Sequence, residues 1–239
     1  AVCPRFSSGD GKGLIKSSIR GDDLFILCDV GNYSCTYNYF GRENSMSPDD
    51  HYQDLKRIIQ AAGGKAHRIN IIMPSLYGGR QHRRNYRESL DCAVALQELQ
   101  SMGVSNILTF DAHDPRVQNA VPLMGLDNII PSYQVLKAMF KNLSDFRPDK
   151  DHFMIISPDE GAINRNMYYA SVLGVNLGMF YKRRDYSTII DGRNPIVAHE
   201  YMGNDVAGKD VFIADDIISS GEAMLDIAVE LKMRKANKI

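Results

Sequence analysis

Short apolar runs alternating with helical stretches are what most narrows the folds open to this chain. Asp23 to Cys28 (DLFILC), Ile69 to Met73, Asn106 to Phe110, Phe153 to Ile156, Leu177 to Tyr181 and Val211 to Ala214 each read as a short strand. Between them, Ser47-Pro48-Asp49-Asp50 opens a helix that runs to about Ala62. Ser47 caps it, Pro48 takes the first turn, the aspartates meet the positive end of the dipole, and Gly63-Gly64 stops it. Further helices are predicted over about Ser89 to Met102, around Leu136 to Leu143, over about Gly161 to Leu173 and over Glu222 to Lys232. This alternation predicts an α/β fold of mainly parallel sheets flanked by helices and joined by right-handed crossovers. From Asp185 to Asp210 the periodicity is lost, and Gly192, Pro195, Gly203 and Gly208 predict a long irregular segment of the kind that is a functional lid or disordered.

A chain of 239 residues at 44% hydrophobic can bury two α/β cores. Gly and Pro punctuate the pattern from Gly125 to Pro131, so the expected domains are 1–128 and 129–239. A net charge of −1 without long blocks of like charge gives no nucleic-acid footprint and no membrane-surface face. Cys3, Cys28, Cys35 and Cys92 have neither zinc-ligand spacing nor the density of a secreted scaffold, and read as thiols in a reducing compartment. The start, AVCPRFSSGDGKG, has no signal-peptide apolar region and no run reaches the length of a membrane span, which predicts a cytoplasmic protein.

The stretch VFIADDIISSGEAMLDIA, Val211 to Ala228, carries the sharpest chemistry. It puts Asp215, Asp216 and the Ser219-Ser220-Gly221 turn at the carboxyl end of a strand, where open α/β sheets bind ligands. Adjacent carboxylates suit vicinal ribose hydroxyls or hydrated magnesium, and hydroxyls with helix-start N–H groups suit a phosphate. The same residues could equally cap a helix. Asp111 and His113 follow another strand, and their spacing puts both side chains on one side of an extended segment. By chemistry alone His113 reads as a hydrogen-bonded turn residue, because magnesium prefers oxygen ligands. Asp159, in a strand-to-helix turn, reads as a cap, a ribose ligand or a metal contact, and Lys182 and Arg184 as a basic strand end. The cluster Arg80, His82, Arg83, Arg84 and Arg87 could face phosphates or solvent.

Five segments, in order, resemble the ribose-phosphate pyrophosphokinase (phosphoribosyl pyrophosphate synthetase) family over almost the whole chain. Arg5-Phe6-Ser7-Ser8-Gly9-Asp10 is similar to the family's Arg-Phe-Ser-x-Gly-Glu loop, which implies that Phe6, Ser8, Gly9 and Asp10 serve the ATP base. Pro74 to Gln81 (PSLYGGRQ) resembles the Pro-Tyr-x-x-Tyr-x-Arg-Gln segment, implying Arg80 and Gln81 as nucleotide contacts. Asp111-Ala112-His113 resembles Asp-Leu-His, and Ser157-Pro158-Asp159 the Ser-Pro-Asp turn, which implies His113, Asp111 and Asp159 as the metal residues. Tyr181-Lys182-Arg183-Arg184 resembles the His-Lys-x-Arg stretch that opens the catalytic loop, with Lys182 and Arg184 catalytic. The resemblance implies two phosphoribosyltransferase-like domains, the first with the ATP elements and the second with the ribose 5-phosphate site and catalytic loop. It also implies Mg²⁺ as cofactor, ATP and ribose 5-phosphate as partners in the reaction, and a dimer or hexamer.

The sequence departs from the family in places. The sugar-phosphate loop Asp-Asp-x-x-Asp-Thr-x-Gly-Thr becomes Asp215-Asp216 followed by Ser219, Ser220, Gly221, Glu222 and Ala223, so a glycine position holds Glu222 and the last hydroxyl is lost. Ser219-x-x-Glu222 also fits a capping box that would occupy helix-start donors. Position 82, commonly acidic in the family, is His82, and the family's second domain continues for a strand and helix beyond the position of Ile239. The implied reaction is transfer of pyrophosphate from ATP to the C1 hydroxyl of ribose 5-phosphate. The alternatives are a regulatory paralogue without turnover, binding nucleotide or partner subunits, and a phosphoribosyltransferase that uses the same sugar site to consume phosphoribosyl pyrophosphate.

Overall fold

Two sheets, one in each half of the chain, organise the molecule. The computed structural model describes residues 1–184 and 196–239, with the backbone alone for 182–184 and 196–199. The chain divides into units Ala1–Pro131 and Ser132–Ile239. The first runs β1 (Asp23–Leu27), β2 (Thr36–Tyr39), β3 (Arg42–Ser45), α1 (Pro48–Ala62), β4 (Arg68–Ile72), α2 (Asp91–Ser101), β5 (Val104–Phe110), a 3-10 helix (Pro115–Ala120) and β6 (Gly125–Ile129). The second runs α3 (Ser132–Asn142), β7 (Phe153–Ser157), α4 (Ile163–Leu173), β8 (Asn176–Arg184), β9 (Ile196–Met202), β10 (Asp210–Ile213) and α5 (Glu222–Met233).

In the first unit the order β1-β4-β5-β6 is parallel throughout. Leu24 and Ile26 of β1 pack on the same core as Tyr52 and Leu55 of α1 and Leu96 and Leu99 of α2, whereas Phe25 and Leu27 are exposed. That period of two is what a strand buried on one face requires. Helix α1 forms as expected. Asp50 donates its N–H to Ser47 Oγ at 3.2 Å, Ser47 returns its N–H to Asp50 Oδ2 at 2.9 Å, and Gly63 closes the helix in the left-handed region at φ 55°. The Tyr52 hydroxyl donates to Glu98 at 2.8 Å while its ring stacks on Tyr77 at 4.2 Å, which ties α1 to α2 and to the segment after β4.

In the second unit the order is β10-β7-β8-β9, parallel except for the antiparallel pair β8 and β9. All five residues of β7 are buried. Met154 and Ile156 face a cluster with Ile227 and Leu231 of α5, and Phe153 and Ile155 face one with Met139 of α3 and Tyr169 of α4. Helices on both faces make β7 a continuous apolar run rather than an alternating one.

Strand β9 corrects the expectation of an irregular segment from Asp185 to Asp210. It pairs with β8 from Met179↔Met202 to Arg184↔Ile196, while residues 185–195 lie outside the described residues. An edge strand takes its ladder bonds from one neighbour, and the polar run at Ala198-His199-Glu200 carries no period that marks it locally. The hairpin of β2 and β3 and the strand β6 are also absent from the sequence-based assignment. All four cysteines are free thiols, and burial pushes those of Cys28 and Cys92 up to about 11. No helix among the described residues is long and apolar enough to cross a membrane.

Candidate functional site

From β7 the chain passes through α4 to β8 on one side, while β10 pairs with β7 on the other. The order therefore reverses between β7 and β10, and the carboxyl ends of these two strands form a topological switch point, the place where open α/β sheets leave a crevice. Ser157-Pro158-Asp159 follows β7 and Ala214-Asp215-Asp216 follows β10, so Asp159, Asp215 and Asp216 come together there. Ser157 Oγ donates to the Asp159 carbonyl at 2.8 Å, and Asp159 Oδ1 accepts the Ala162 N–H at 3.1 Å, which fixes the turn into α4. The Asp216 N–H donates to Asp215 Oδ1 at 2.9 Å. Burial, the hydrogen bond with Asp216 and the charges of Asp216 and Asp159 raise the Asp215 carboxyl above the ordinary carboxylate range. Arg165 of α4 approaches both, at 3.6 Å from Asp215 and 3.7 Å from Asp216. Sequence reasoning passed over Arg165 and its neighbour Asn166; the available signal was a polar pair in the first turn of a helix leaving the Ser-Pro-Asp turn.

Ser219 and Ser220 are exposed, and Gly221 precedes α5 in the left-handed region at φ 83°. The capping box expected between Ser219 and Glu222 does not form, because the helix begins at Glu222 with Gly221 as its N-cap. In this register Ser219 lies two residues before the cap, and α5 starts with no side-chain cap. Glu222 and Ala223 are exposed. Lys182 and Arg184 lie at the end of β8, with Lys182 opposite His199 of β9, and their side chains are outside the described residues.

In the first unit, Phe6 to Asp10 form a tight turn. The Phe6 N–H donates to the Asp10 carbonyl at 2.7 Å, the Gly9 N–H to the Phe6 carbonyl at 2.9 Å, and Ser8 Oγ to Asp10 Oδ2 at 2.8 Å. Gly9 has φ 91°, and a Cβ there would come within 2.7 Å of the Tyr39 ring, so the β2–β3 hairpin rests against the turn. Phe6 is exposed, while Arg5 is ion-paired with Asp54 below it. Arg80 is exposed and Gln81 half-buried, its N–H on the Gly78 carbonyl at 2.8 Å.

Asp111 corrects the extended reading of Asp111-Ala112-His113. Its φ of 46° is left-handed, so alternation along a strand does not apply and the two side chains are not set on one face by it. The tertiary setting holds this turn: the Asp111 N–H donates to the Ile129 carbonyl at 3.0 Å and the Ala112 N–H to Asn128 Oδ1 at 2.9 Å. His113 is exposed, with its ring edge-on to His82 at 5.2 Å. His82 faces inward, its Nε2 3.4 Å from buried Asp114, unlike the exposed Arg83, Arg84 and Arg87 beside it. The hydrogen-bonded Arg116 guanidinium holds the Asp114 carboxyl well below the usual range. Asp114 escaped the sequence reading, although Asp114-Pro115 is a recognisable helix-start signal.

A switch-point crevice bearing adjacent aspartates is the ligand-binding place of an open α/β domain, and residues 126–239 match the family model described as phosphoribosyl transferase domain. Residues 1–103 match the N-terminal domain of ribose phosphate pyrophosphokinase. The chain belongs to the ribose-phosphate pyrophosphokinase family. Among its relatives, the ribose-phosphate pyrophosphokinase of Ralstonia nicotianae is 28% identical over 243 residues, covering 100% of this chain and 68% of the relative. That of Vibrio cholerae is 29% identical over 245 residues, again covering 100% and 68%. The crystal structure of phosphoribosylpyrophosphate synthetase from Mycobacterium smegmatis aligns with a TM-score of 0.78 at 21% identity, over 99% of this chain and 69% of that one, and supports the fold.

Proposed function

We propose that this chain transfers the pyrophosphoryl group of ATP to the C1 hydroxyl of ribose 5-phosphate, giving phosphoribosyl pyrophosphate and AMP. The observation that carries this reading is the Asp215-Asp216 pair at the switch point, followed by a helix that begins without a side-chain cap. Carboxylates accept from the ribose hydroxyls, and N–H groups at a helix start take the 5-phosphate. The C1 hydroxyl oxygen attacks the β-phosphorus and releases its proton to solvent, the bond from that phosphorus to the α-phosphate oxygen breaks, and AMP leaves with that oxygen. Lys182 and Arg184 neutralise the charge that develops on the phosphoryl oxygens. Phe6, Ser8, Gly9, Asp10, Arg80 and Gln81 bind the nucleotide, and Asp215, Asp216 and the loop Ser219, Ser220, Gly221, Glu222 and Ala223 bind the sugar phosphate.

Mg²⁺ supplies Lewis-acid neutralisation of the phosphates when bound. The residues that would hold magnesium are His113 and Asp111 in the first unit and, separately, Asp159 in the second. Carboxylates dominate this set, which suits a hard ion that keeps waters and borrows substrate oxygens; among the described residues no three His, Cys, Asp or Glu side chains are grouped so as to hold a metal by themselves. The reading includes a cytoplasmic homo-oligomer, dimer or hexamer, which sedimentation velocity tests.

The deciding experiment follows nucleotide products from ATP with and without ribose 5-phosphate and Mg²⁺. AMP release that needs both is expected; ADP would mean transfer of a single phosphoryl group and would sink the assignment. One observation favours a second reading, a nucleotide-binding paralogue without turnover: Glu222 puts an exposed carboxylate at the start of α5. That reading requires ATP binding with no AMP in the same assay.

A further inference from the structure

We infer that Arg165 and Asn166, consecutive residues of α4, are the positioning residues of the sugar site, one acting on its carboxylates and the other on its backbone. The inference rests on the proposed ribose 5-phosphate site. Asn166 is fully buried, beneath the switch point, an unusual place for a side-chain amide. Its Nδ2 donates to the Ala214 carbonyl at 2.8 Å and the Ala162 carbonyl at 2.9 Å, with Ser157 Oγ at 3.4 Å, and its Oδ1 accepts the Ala214 N–H at 3.2 Å. Ala214 is the residue between the end of β10 and the aspartate pair. Asn166 thus gives both peptide groups of Ala214 the partners that a neighbouring strand would give, and carries the order of the sheet one residue further toward the ligand. Through Ala162 and Ser157 it bonds at the same time to the Ser-Pro-Asp turn, so the two lips of the crevice are held by one side chain.

Arg165 adds the electrostatic half. Its side chain is 11% exposed and reaches Asp215 and Asp216 at 3.6 and 3.7 Å, longer than direct hydrogen bonds. From there the guanidinium sets one positive charge beside both carboxylates and holds the pair in a fixed relation to α4. Because the two residues are adjacent on one helix, both arms are fixed in relation to each other.

Calorimetric titration with ribose 5-phosphate, and separately with ATP, tests this on the natural chain and on Arg165→Met, Arg165→Lys and Asn166→Ala. Arg165→Met and Asn166→Ala are each expected to weaken ribose 5-phosphate binding on the order of tenfold while ATP affinity stays unchanged, and Arg165→Lys to recover part of the loss. Loss of thermal stability with unchanged sugar-phosphate affinity, in either variant, overturns the inference and leaves that residue a purely structural role. Should Arg165→Met or Asn166→Ala fail to fold, Arg165→Gln, which removes the charge, and Asn166→Ser, which keeps one donor, carry the same expectation at smaller size, and unchanged affinity in them overturns it equally. A natural chain that binds ATP and not ribose 5-phosphate removes the proposed sugar site itself, and is seen before any variant is made.

Discussion

The two units share a strand–helix rhythm but differ in strand order and in the fate of their charges. In the first, β1, β4, β5 and β6 lie side by side in the order in which the chain makes them, with no reversal. In the second, β10 returns to the far side of β7, and that reversal makes a crevice. The charges follow the same division. Asp54 is ion-paired with Arg5 and Arg57, Asp114 with Arg116 and Asp23 with Arg68, so each of these carboxylates of the first unit has its own cation close by. At the switch point Asp159, Asp215 and Asp216 lie together, Arg165 approaches the latter two, and Asp215 is driven toward its protonated form. A parallel sheet thus brings carboxylates together where its topology turns back, whereas strand ends that merely follow one another keep theirs apart.

The largest test of this division is Lys182→Ala at the end of β8. Turnover is expected to fall on the order of 10²-fold or more with little loss of ATP affinity, since a cation acting on developing charge contributes chiefly in the transition state. Full turnover in the folded variant would leave Lys182 a surface cation.

Asp215→Asn should move affinity and stability in opposite directions. A carboxyl raised in the folded state contributes stability below its unfolded value, and that contribution is lost as pH rises through the folded one. Replacing it by the neutral amide should therefore stabilise the protein near pH 8, by on the order of 1 kcal/mol after allowing for partial solvent exposure, and by less near pH 4. Ribose 5-phosphate binding should weaken on the order of tenfold. Equal Tm differences at both pH values would contradict the charge concentration at the switch point.

Ser47→Ala probes the other unit. Loss of the capping box at α1 should lower stability by about 1 kcal/mol in chemical denaturation and leave ribose 5-phosphate affinity untouched. A change in that affinity would break the separation of roles.

The smallest expected effect belongs to Glu222→Gly combined with Ala223→Thr. Since no capping box competes for the helix start, only the charge of an exposed carboxylate opposes the phosphate, worth roughly 1 kcal/mol at about 4 Å in water. A gain in ribose 5-phosphate affinity of a few-fold is expected by titration, shrinking with added salt. No gain would mean that the loop takes its phosphate away from Glu222.

What the amino-acid sequence determined by itself is whatever neighbouring residues settle among themselves. Ser47, Pro48, Asp50 and Gly63 define α1 at both ends because caps act within one turn, and the apolar run of β7 marks a central strand because burial on both faces leaves no room for alternation. The strand ends carrying Asp159 and Asp215-Asp216 were legible for the same reason. Tertiary structure decided the rest. β9 exists through its ladder with β8, and the left-handed turn at Asp111 is tied to β6 and Asn128 by bonds no local pattern encodes. A four-residue spacing allowed a capping box at Ser219, but the helix took Gly221 as its cap instead. Asn166 is the clearest case: its identity was visible in the chain, yet its bonds to Ala214 arise 48 residues away, and only the packing of α4 beneath the switch point brings that distance to zero turns of backbone. Local propensity is set by short-range sterics and hydrogen bonds, whereas strand order and buried polar partners depend on contacts that form when distant segments pack.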